Sequence, residues 1–208
     1  MIYPNALVQV NNNLSIYIPD DNQVQLIYAN MLSEQKATPF PFWAKIWPAA
    51  KAMVGFLQKE PQWINNKKVL EIGAGIGLPS FAIANQAESV IISDYSTDAV
   101  ELIQKNINYL KINNASAICM DWSHFPMSIN AETILLSDVN YDPAQFEALN
   151  QLIQYLLNQG STLIIATPQR IMAAPFVKML QPSIKQMHTH KVQHENQLLE
   201  ISICILYQ

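Results

Sequence analysis

The sequence predicts an α/β fold whose doubly wound, mostly parallel sheet is covered by helices on both faces. From about residue 67 onward, short apolar runs alternate with longer amphipathic stretches, which is the pattern of strands joined by crossover helices. Half of the 208 residues are hydrophobic and 13% are charged, so the chain has enough apolar surface for one packed domain. The same composition excludes a largely disordered protein.

The first 40 or so residues differ from the rest and predict a short β extension. Two apolar-rich runs, at residues 7–10 and 14–18, flank three consecutive asparagines. Asparagine tolerates the positive φ that tight turns need, so these runs predict a β-hairpin. We therefore expect an N-terminal extension with a hairpin over residues 1–40 and the α/β domain over residues 41–208.

Five parallel strands and the helices around them are predicted next. The predicted strands lie at residues 69–72, 89–94, 116–120, 133–137 and 162–166. The predicted helices lie at residues 49–58 after Pro48, at 78–87, from a cap at Ser96 or Thr97 to 110, at 144–158 and at 173–180. Two extended runs follow, at 184–192 and 198–207, and are too close in sequence for a parallel crossover. We expect them to form an antiparallel hairpin at the edge of a seven-stranded sheet.

Composition narrows the classes of partner. Sixteen acidic side chains stand against twelve basic ones, so the chain lacks the cationic excess that phosphate binding needs, and we expect no nucleic-acid partner. No apolar run reaches the roughly 18 residues of a membrane span and no leader segment is visible, so we expect a cytoplasmic protein without a membrane partner. Cys119 and Cys204 lie in apolar stretches and are expected to be reduced core residues. His188 and His190 would share a strand face, but no acid or cysteine at suitable spacing completes a site, so no metal is expected.

A glycine-rich loop after the first parallel strand is the strongest sign of a binding site. Glycines let the backbone turn sharply and approach a ligand, and the next helix offers free N–H groups. The loop misses the dinucleotide pattern G-x-G-x-x-G by one residue, and its leading carboxylate would repel a pyrophosphate. That carboxylate suits a ligand with an ammonium or sulfonium charge. The candidate binding residues here are Glu71, Gly73, Ala74, Gly75 and Gly77.

Two further strand ends carry groups that suit parts of one ligand. Asp94 closes the second strand, where an acid accepts hydrogen bonds from both ribose hydroxyls. Asp121 and Trp122 close the third strand, where an adenine amino group would donate to the carboxylate and a ring would stack nearby. An amino-acid head, a ribose and an adenine are the three parts of S-adenosylmethionine.

On these motifs the chain resembles the seven-strand, Rossmann-like methyltransferases that use S-adenosylmethionine. It is more closely similar to protein-lysine methyltransferase family 16, which includes the valosin-containing-protein and electron-transfer-flavoprotein lysine methyltransferases. Two segments carry the closer likeness: Phe-Trp-Ala-Lys-Ile-Trp-Pro-Ala-Ala at 42–50, and Ser-Asp-Val-Asn-Tyr at 137–141, which fits the family's D-x-x-Y motif. The likeness covers about residues 40–170.

The resemblance implies the positions of the cofactor-binding residues. It implies that Trp47 packs beside S-adenosylmethionine and that residues 73–75 contact its methionine part. It further implies that Asp94 contacts the ribose, that Trp122 lies against the adenine region and that Ser137 lies near the cofactor.

Asp138 and Tyr141 are the catalytic candidates, because the resemblance implies that both face the substrate. A carboxylate would hold an incoming ammonium, and a phenol provides an acceptor oxygen and a ring face. Asn140 departs from the motif, since the family usually has an apolar residue there. Packing and helix capping remain as alternative roles for Trp43, Trp47, Asp138 and Tyr141.

The sequence therefore favours an S-adenosylmethionine-dependent N-methyltransferase whose acceptor, by resemblance, is a protein lysine. A small-molecule amine on the same fold is the alternative acceptor. A catalytically silent, partner-binding domain is the alternative of another class, and an NAD-dependent oxidoreductase is disfavoured by the loop. The oligomeric state stays open.

Overall fold

A computed structural model describes residues 3–34, 39–169 and 173–208, and a seven-stranded sheet forms the centre of that part of the chain. The strands are β1 Asn5–Asn11, β2 Leu14–Pro19, β3 Lys68–Ile72, β4 Ser89–Asp94, β5 Ala115–Cys119, β6 Thr133–Ser137, β7 Thr162–Pro168, β8 Ile184–His194 and β9 Gln197–Leu206. The helices are α1 Asp21–Ser33, α2 Pro48–Lys59, α3 Leu78–Ile83, α4 Thr97–Leu110, α5 Phe146–Asn158 and α6 Ala174–Leu180.

The order of the strands confirms the predicted fold. It is β5-β4-β3-β6-β7-β9-β8, with the first five strands parallel and β9 antiparallel to β7. β8 pairs antiparallel with β9 and forms the edge, as the C-terminal hairpin was expected to do. The direction of chain winding reverses between β3 and β6, and in such sheets ligands bind outside the carboxyl ends of the strands at that point.

Alternate strand residues supply two hydrophobic cores, one on each face of the sheet. On one face, Val69 and Ile92 pack among side chains of α2, α3 and α4. On the other, Leu70 and Leu136 pack among side chains of α5 and α6. Because both faces are covered, the carboxyl edge of the sheet is left for a binding site.

The N-terminal hairpin forms a separate two-stranded sheet, β1 with β2, that lies against α4. The side chain of Asn106 on α4 accepts a hydrogen bond from the Tyr17 N–H (2.7 Å) and donates one to the Tyr17 carbonyl (3.0 Å). Ile16 of the hairpin is fully buried in the core that contains α2 and α4. The division at residues 40 and 41 stays a prediction, but the extension shares its core with the rest of the chain.

Three expectations about local structure are wrong. Helix α1 was not predicted, and α3 ends at Ile83 rather than at 87, because the chain turns there to return to β4. Cys204 is buried as expected, but Cys119 is exposed, since β5 is an edge strand of the sheet. Among the described helices none is both long and apolar enough to span a bilayer.

Candidate functional site

A cavity of about 290 Å³ opens at the carboxyl ends of β3, β4 and β6 and is closed on one side by the segment before α2. Its lining is mostly apolar, which is typical of small-molecule sites. The predicted site residues that line it are Trp47, Gly73, Ala74, Gly75, Asp94, Trp122, Ser137, Asp138 and Tyr141. The structure therefore brings most of the predicted residues to one place.

The glycine loop after β3 has a backbone that side chains would obstruct. Gly73 and Gly75 have φ values of +63° and +56°, in the left-handed region that favours glycine. A Cβ atom on Gly75 would lie 3.1 Å from the Trp43 carbonyl oxygen, and one on Gly73 would lie 3.0 Å from Cγ1 of Val139. Only glycine fits these two positions, and the loop therefore has a bare backbone that a ligand can approach closely. Gly77 lies behind it at the start of α3 and does not line the cavity.

Glu71 was expected to face the ligand, but the structure places it behind the loop. Its carboxylate is fully buried and accepts hydrogen bonds from the backbone N–H and the hydroxyl of Ser80 on α3. Burial raises its pKa to about 7. Its physical role is to fix α3 to the end of β3, since a buried carboxyl is retained where hydrogen bonds satisfy it.

Asp94 lines the cavity and also supports the glycine loop. One carboxylate oxygen accepts a hydrogen bond from the Gly75 N–H (2.8 Å), and the other accepts one from the Ser96 N–H (2.9 Å). Burial raises the pKa of Asp94, while these backbone hydrogen bonds act in the opposite direction. A carboxylate has more than two acceptor positions, so capacity remains for ligand hydroxyls.

Asp121 and Trp122 lie in a neighbouring depression of about 490 Å³, and Trp122 also lines the first cavity. The indole ring lies against Gly73, and its Nε1 donates to Gln145 Oε1 (3.3 Å). Asp121 is more exposed, and its Oδ1 accepts from the Ser123 N–H (2.8 Å), which lowers the pKa of this carboxyl. The two depressions share the ring of Trp122 as a wall, so together they form an elongated site.

Asp138 has an unusual backbone conformation at the end of β6. Its φ is +58°, a region that non-glycine residues rarely enter, and its N–H donates to the Ala166 carbonyl of β7 (2.9 Å). Such strain persists where the surrounding structure enforces it, and it is common at functional sites. The preceding residue, Ser137, buries a hydroxyl oxygen that has no hydrogen-bond partner in the structure.

Tyr141 and the aromatic segment before α2 close the cavity together. The ring centroids of Phe42 and Tyr141 are 5.2 Å apart, and the Trp47 indole donates to the Phe42 carbonyl (2.8 Å). Partial burial, with a contribution from the nearby tyrosine Tyr95, raises the pKa of Tyr141 to about 12. The phenol therefore keeps its proton at neutral pH, and its oxygen acts as a neutral donor and acceptor.

Sequence reasoning missed several residues of the cavity. Tyr95 follows Asp94 directly at a strand end, and Lys45 lies inside the aromatic segment that had been singled out. The positions of Tyr95 and Lys45 beside predicted site residues were the available signal. Neither a tyrosine nor a lysine was expected among the groups that bind the cofactor. Ile46, Ile76 and Val139 supply apolar lining that only the folded chain brings together.

The chemistry available in this cavity is that of carboxylates and aromatic faces, which stabilise cations. Asp94 and Asp138 are both nearly buried at its wall, with exposures of 4% and 6%. Within residues 3–34, 39–169 and 173–208, no cluster of His, Cys, Asp or Glu is arranged to hold a metal ion.

Comparison with known proteins places the chain among methyltransferases. A family model described as lysine methyltransferase matches residues 30–183. The chain is 25% identical over 204 residues to the protein N-terminal and lysine N-methyltransferase EFM7 of Cryptococcus neoformans, covering 91% of this chain and 64% of that protein. It is 28% identical over 134 residues to the electron transfer flavoprotein beta subunit lysine methyltransferase of Danio rerio, covering 64% of this chain and 52% of that protein. The chain thus spans less than two thirds of the length of both relatives.

A solved structure shows the same fold. N-methyltransferase NodS from Bradyrhizobium japonicum WM9, in complex with S-adenosyl-L-homocysteine, aligns with a TM-score of 0.62 at 14% identity. The alignment covers 86% of this chain and 98% of that chain. At this level of identity the likeness concerns the fold alone.

Proposed function

The chain belongs to the lysine methyltransferase family, and from that premise we propose that it transfers a methyl group to the ε-amine of a lysine in another protein. Its cofactor is S-adenosylmethionine, which when bound supplies a methyl group on a positively charged sulfur. The observation that supports the proposal best is the placement of Asp138 and Tyr141 in the same cavity as the glycine loop. One end of the site then holds the cofactor and the other receives the acceptor.

The residues present fit this cofactor. Side chains at Gly73 and Gly75 would clash with neighbouring groups, so the loop keeps a bare backbone that an amino-acid head can approach closely. The Ser137 hydroxyl is buried without a partner and is available for a hydrogen bond to a ligand. Asp94 would accept from ribose hydroxyls and Trp122 would contact the adenine. These four assignments are part of the proposal.

The acceptor side of the site must bind an ammonium and then present a neutral amine. An ordinary lysine has a pKa near 10.4, so the proton must leave before the nitrogen can attack. In our proposal the Asp138 carboxylate attracts and orients the ammonium, and the Tyr141 oxygen accepts a hydrogen bond from it. Phe42 and Trp47 exclude water and offer ring faces to the cation. Catalysis then consists mainly of positioning.

Two measurements on the purified chain test the proposal. Calorimetric titration with S-adenosylmethionine and, in parallel, with NAD should show binding of the first alone. Incubation of the chain with methyl-labelled cofactor and cell-extract proteins should place label on lysine side chains. Label confined to small molecules would favour the alternative acceptor, and the absence of both binding and label would overturn the proposal.

Asp138→Asn is the sharpest variant for this test. It keeps the size of the side chain and removes the charge, so transfer should fall by about 100-fold or more while cofactor affinity stays within about threefold. Tyr141→Phe, which keeps the ring, should lose less. Equal loss of cofactor binding and of transfer would contradict the assignment of Asp138 to the acceptor.

A further inference from the structure

Lys45 is a basic residue at the wall of the cavity. It is the single lysine among the described residues that lines this cavity, and it does so together with Asp138 and Tyr141. Under the proposed function, those two residues receive the ε-amine of an acceptor lysine. The chain therefore carries a lysine of its own in the same cavity that would receive an acceptor lysine.

The contacts of Lys45 hold its side chain loosely. Its Nζ lies 3.7 Å from the Asp21 carboxylate at the start of α1 and 5.9 Å from the centre of the Trp47 ring. The Asp21 side chain is 60% exposed and that of Lys45 is 33% exposed, so water screens the pair and little free energy opposes its separation. The four-carbon stem of lysine is flexible, so the amine is free to leave Asp21 and enter the cavity.

We propose that Lys45 is a self-methylation site, modified within the same molecule. This inference rests on the proposed function of the cavity. The Lys45 ammonium first gives its proton to water, and the nitrogen lone pair then forms a bond to the methyl carbon. The carbon–sulfur bond breaks as that bond forms, and S-adenosylhomocysteine leaves. The methylated nitrogen keeps a positive charge, so it still pairs with Asp21 and still contacts the Trp47 ring.

Another role for Lys45 gives a different outcome. A fixed cation at the wall would pair with the carboxylate of the cofactor's amino-acid part, and the lysine would then stay unmodified. Lys45→Met would in that case weaken cofactor binding, whereas Lys45→Arg would preserve it. Chemical analysis of the lysine separates this role from self-methylation.

The test is incubation of the purified chain with S-adenosylmethionine that carries a deuterated methyl group. Digestion with a protease that does not cut at lysine, followed by mass spectrometry, locates the label. We expect label on Lys45 and none on Lys51 or Lys59, which belong to α2 and do not line the cavity. Lys45→Arg should remove the label, and the matched variant Lys51→Arg should leave it unchanged.

Two further arms test the mechanism. Transfer within one molecule is independent of protein concentration, so tenfold dilution should leave the labelled fraction at each time unchanged. Asp21→Asn frees the amine from its surface partner and should raise the initial labelling rate by about two- to fivefold. An unlabelled Lys45, label spread over the exposed lysines, or a rate that falls with dilution would each overturn the inference.

Failure of this inference is distinguishable from failure of the proposed function. If extract proteins acquire label on lysine and Lys45 does not, self-methylation is wrong and the proposed function stands. If the chain neither binds S-adenosylmethionine nor labels any protein, both are wrong.

Discussion

Glu71, which precedes the glycine loop, is a buried carboxyl that makes the stability of the folded chain depend on pH. Its side chain is fully buried, one of its oxygens has no hydrogen-bond partner, and burial raises its pKa from 4.5 to about 7. The protonated form is favoured in the folded chain because the charged form would lose its hydration. Ionisation of Glu71 therefore opposes folding at neutral pH, although its hydrogen bonds with Ser80 offset part of that cost.

The sign of the pH dependence follows from this raised pKa. A folded chain that holds the proton more tightly than the unfolded chain is stabilised below about pH 4.5, and that contribution is lost as pH rises through about 7. The Gln side chain in Glu71→Gln cannot ionise. Between pH 4.5 and about 7, the free energy of unfolding of this variant should therefore fall less steeply with pH than that of the unmodified chain. The two slopes should differ by at most about 1.4 kcal/mol per pH unit. Denaturant unfolding of both proteins at several pH values measures the two slopes.

A matched control for this prediction is Glu88→Gln. The Glu88 side chain is 56% exposed, so its replacement should leave the slope near that of the unmodified chain. Parallel slopes for the chain and for Glu71→Gln would show that Glu71 is not the group that titrates.

At the scale of elements, the central strands were predictable and the surface helix α1 was not. Strands β3, β4 and β6 each contain consecutive apolar residues because both of their faces are covered, and such runs stand out in a sequence. Helix α1 fully buries only Val24, and its apolar residues are not confined to one face, since Leu26 and Leu32 are exposed. Asp20 caps α1 by accepting a hydrogen bond from the Gln23 N–H (2.9 Å), and this capping residue was the available sequence signal for the helix.

The candidate site was predictable where a residue type is tied to backbone geometry. Glycines after β3 and acids at strand ends mark the carboxyl edge of a sheet, so Gly75 and Asp94 were predicted, and both line the cavity. Glu71, which was also expected at the site, is fully buried and bonded to Ser80, and a sequence does not show on which side of a loop a carboxylate lies. Lys45 was missed although Trp47 of the same segment was predicted, because a basic residue did not fit the cation-binding chemistry expected there.

The loop that carries Asp138 and Tyr141 is fastened to β7 by a buried polar pair. Asn140 is 1% exposed and Thr167 is 2% exposed, and the Asn140 amide donates to the Thr167 hydroxyl (2.9 Å). The Thr167 hydroxyl also donates a hydrogen bond to the side-chain amide oxygen of Asn140 (3.1 Å). Asn140 stands where the family usually has an apolar residue, and the structure supplies it with a polar partner.

A double-mutant cycle tests this pair. Asn140→Leu and Thr167→Val should each lower the free energy of unfolding by about 1–3 kcal/mol, because each removes the hydrogen bonds between the two buried side chains. Thr167→Val should cost more, since the Thr167 hydroxyl keeps the Pro168 carbonyl as an acceptor (3.2 Å) when Asn140 is replaced. The double variant should cost clearly less than the two single costs together, since no orphaned group remains. Urea unfolding of the four proteins gives the coupling, and additive costs would mean that the two side chains do not act as a pair.

For the whole molecule, the question is whether the N-terminal extension folds with the α/β domain. Ile16 of β2 is fully buried in the core that also contains α2 and α4, and the Asn106 side chain bridges the Tyr17 backbone groups. Lys105 Nζ lies 3.6 Å from the centre of the Tyr17 ring and adds a second contact from α4. Shared burial favours unfolding in a single cooperative transition.

Asn106→Ala tests this cooperativity directly. It leaves the Tyr17 N–H and carbonyl groups without their partner, and we expect the free energy of unfolding to fall by about 2–4 kcal/mol. Asn108→Ala, two residues further along α4, removes an exposed side chain that pairs with Gln104 and should change stability by no more than about 0.5 kcal/mol. Urea unfolding followed by tryptophan fluorescence, with limited proteolysis of residues 1–40 in parallel, measures both. If Asn106→Ala makes the extension sensitive to protease without lowering the stability of the rest, the extension is a separate folding unit; if both change together, the hairpin is part of the single core on which the cavity is built.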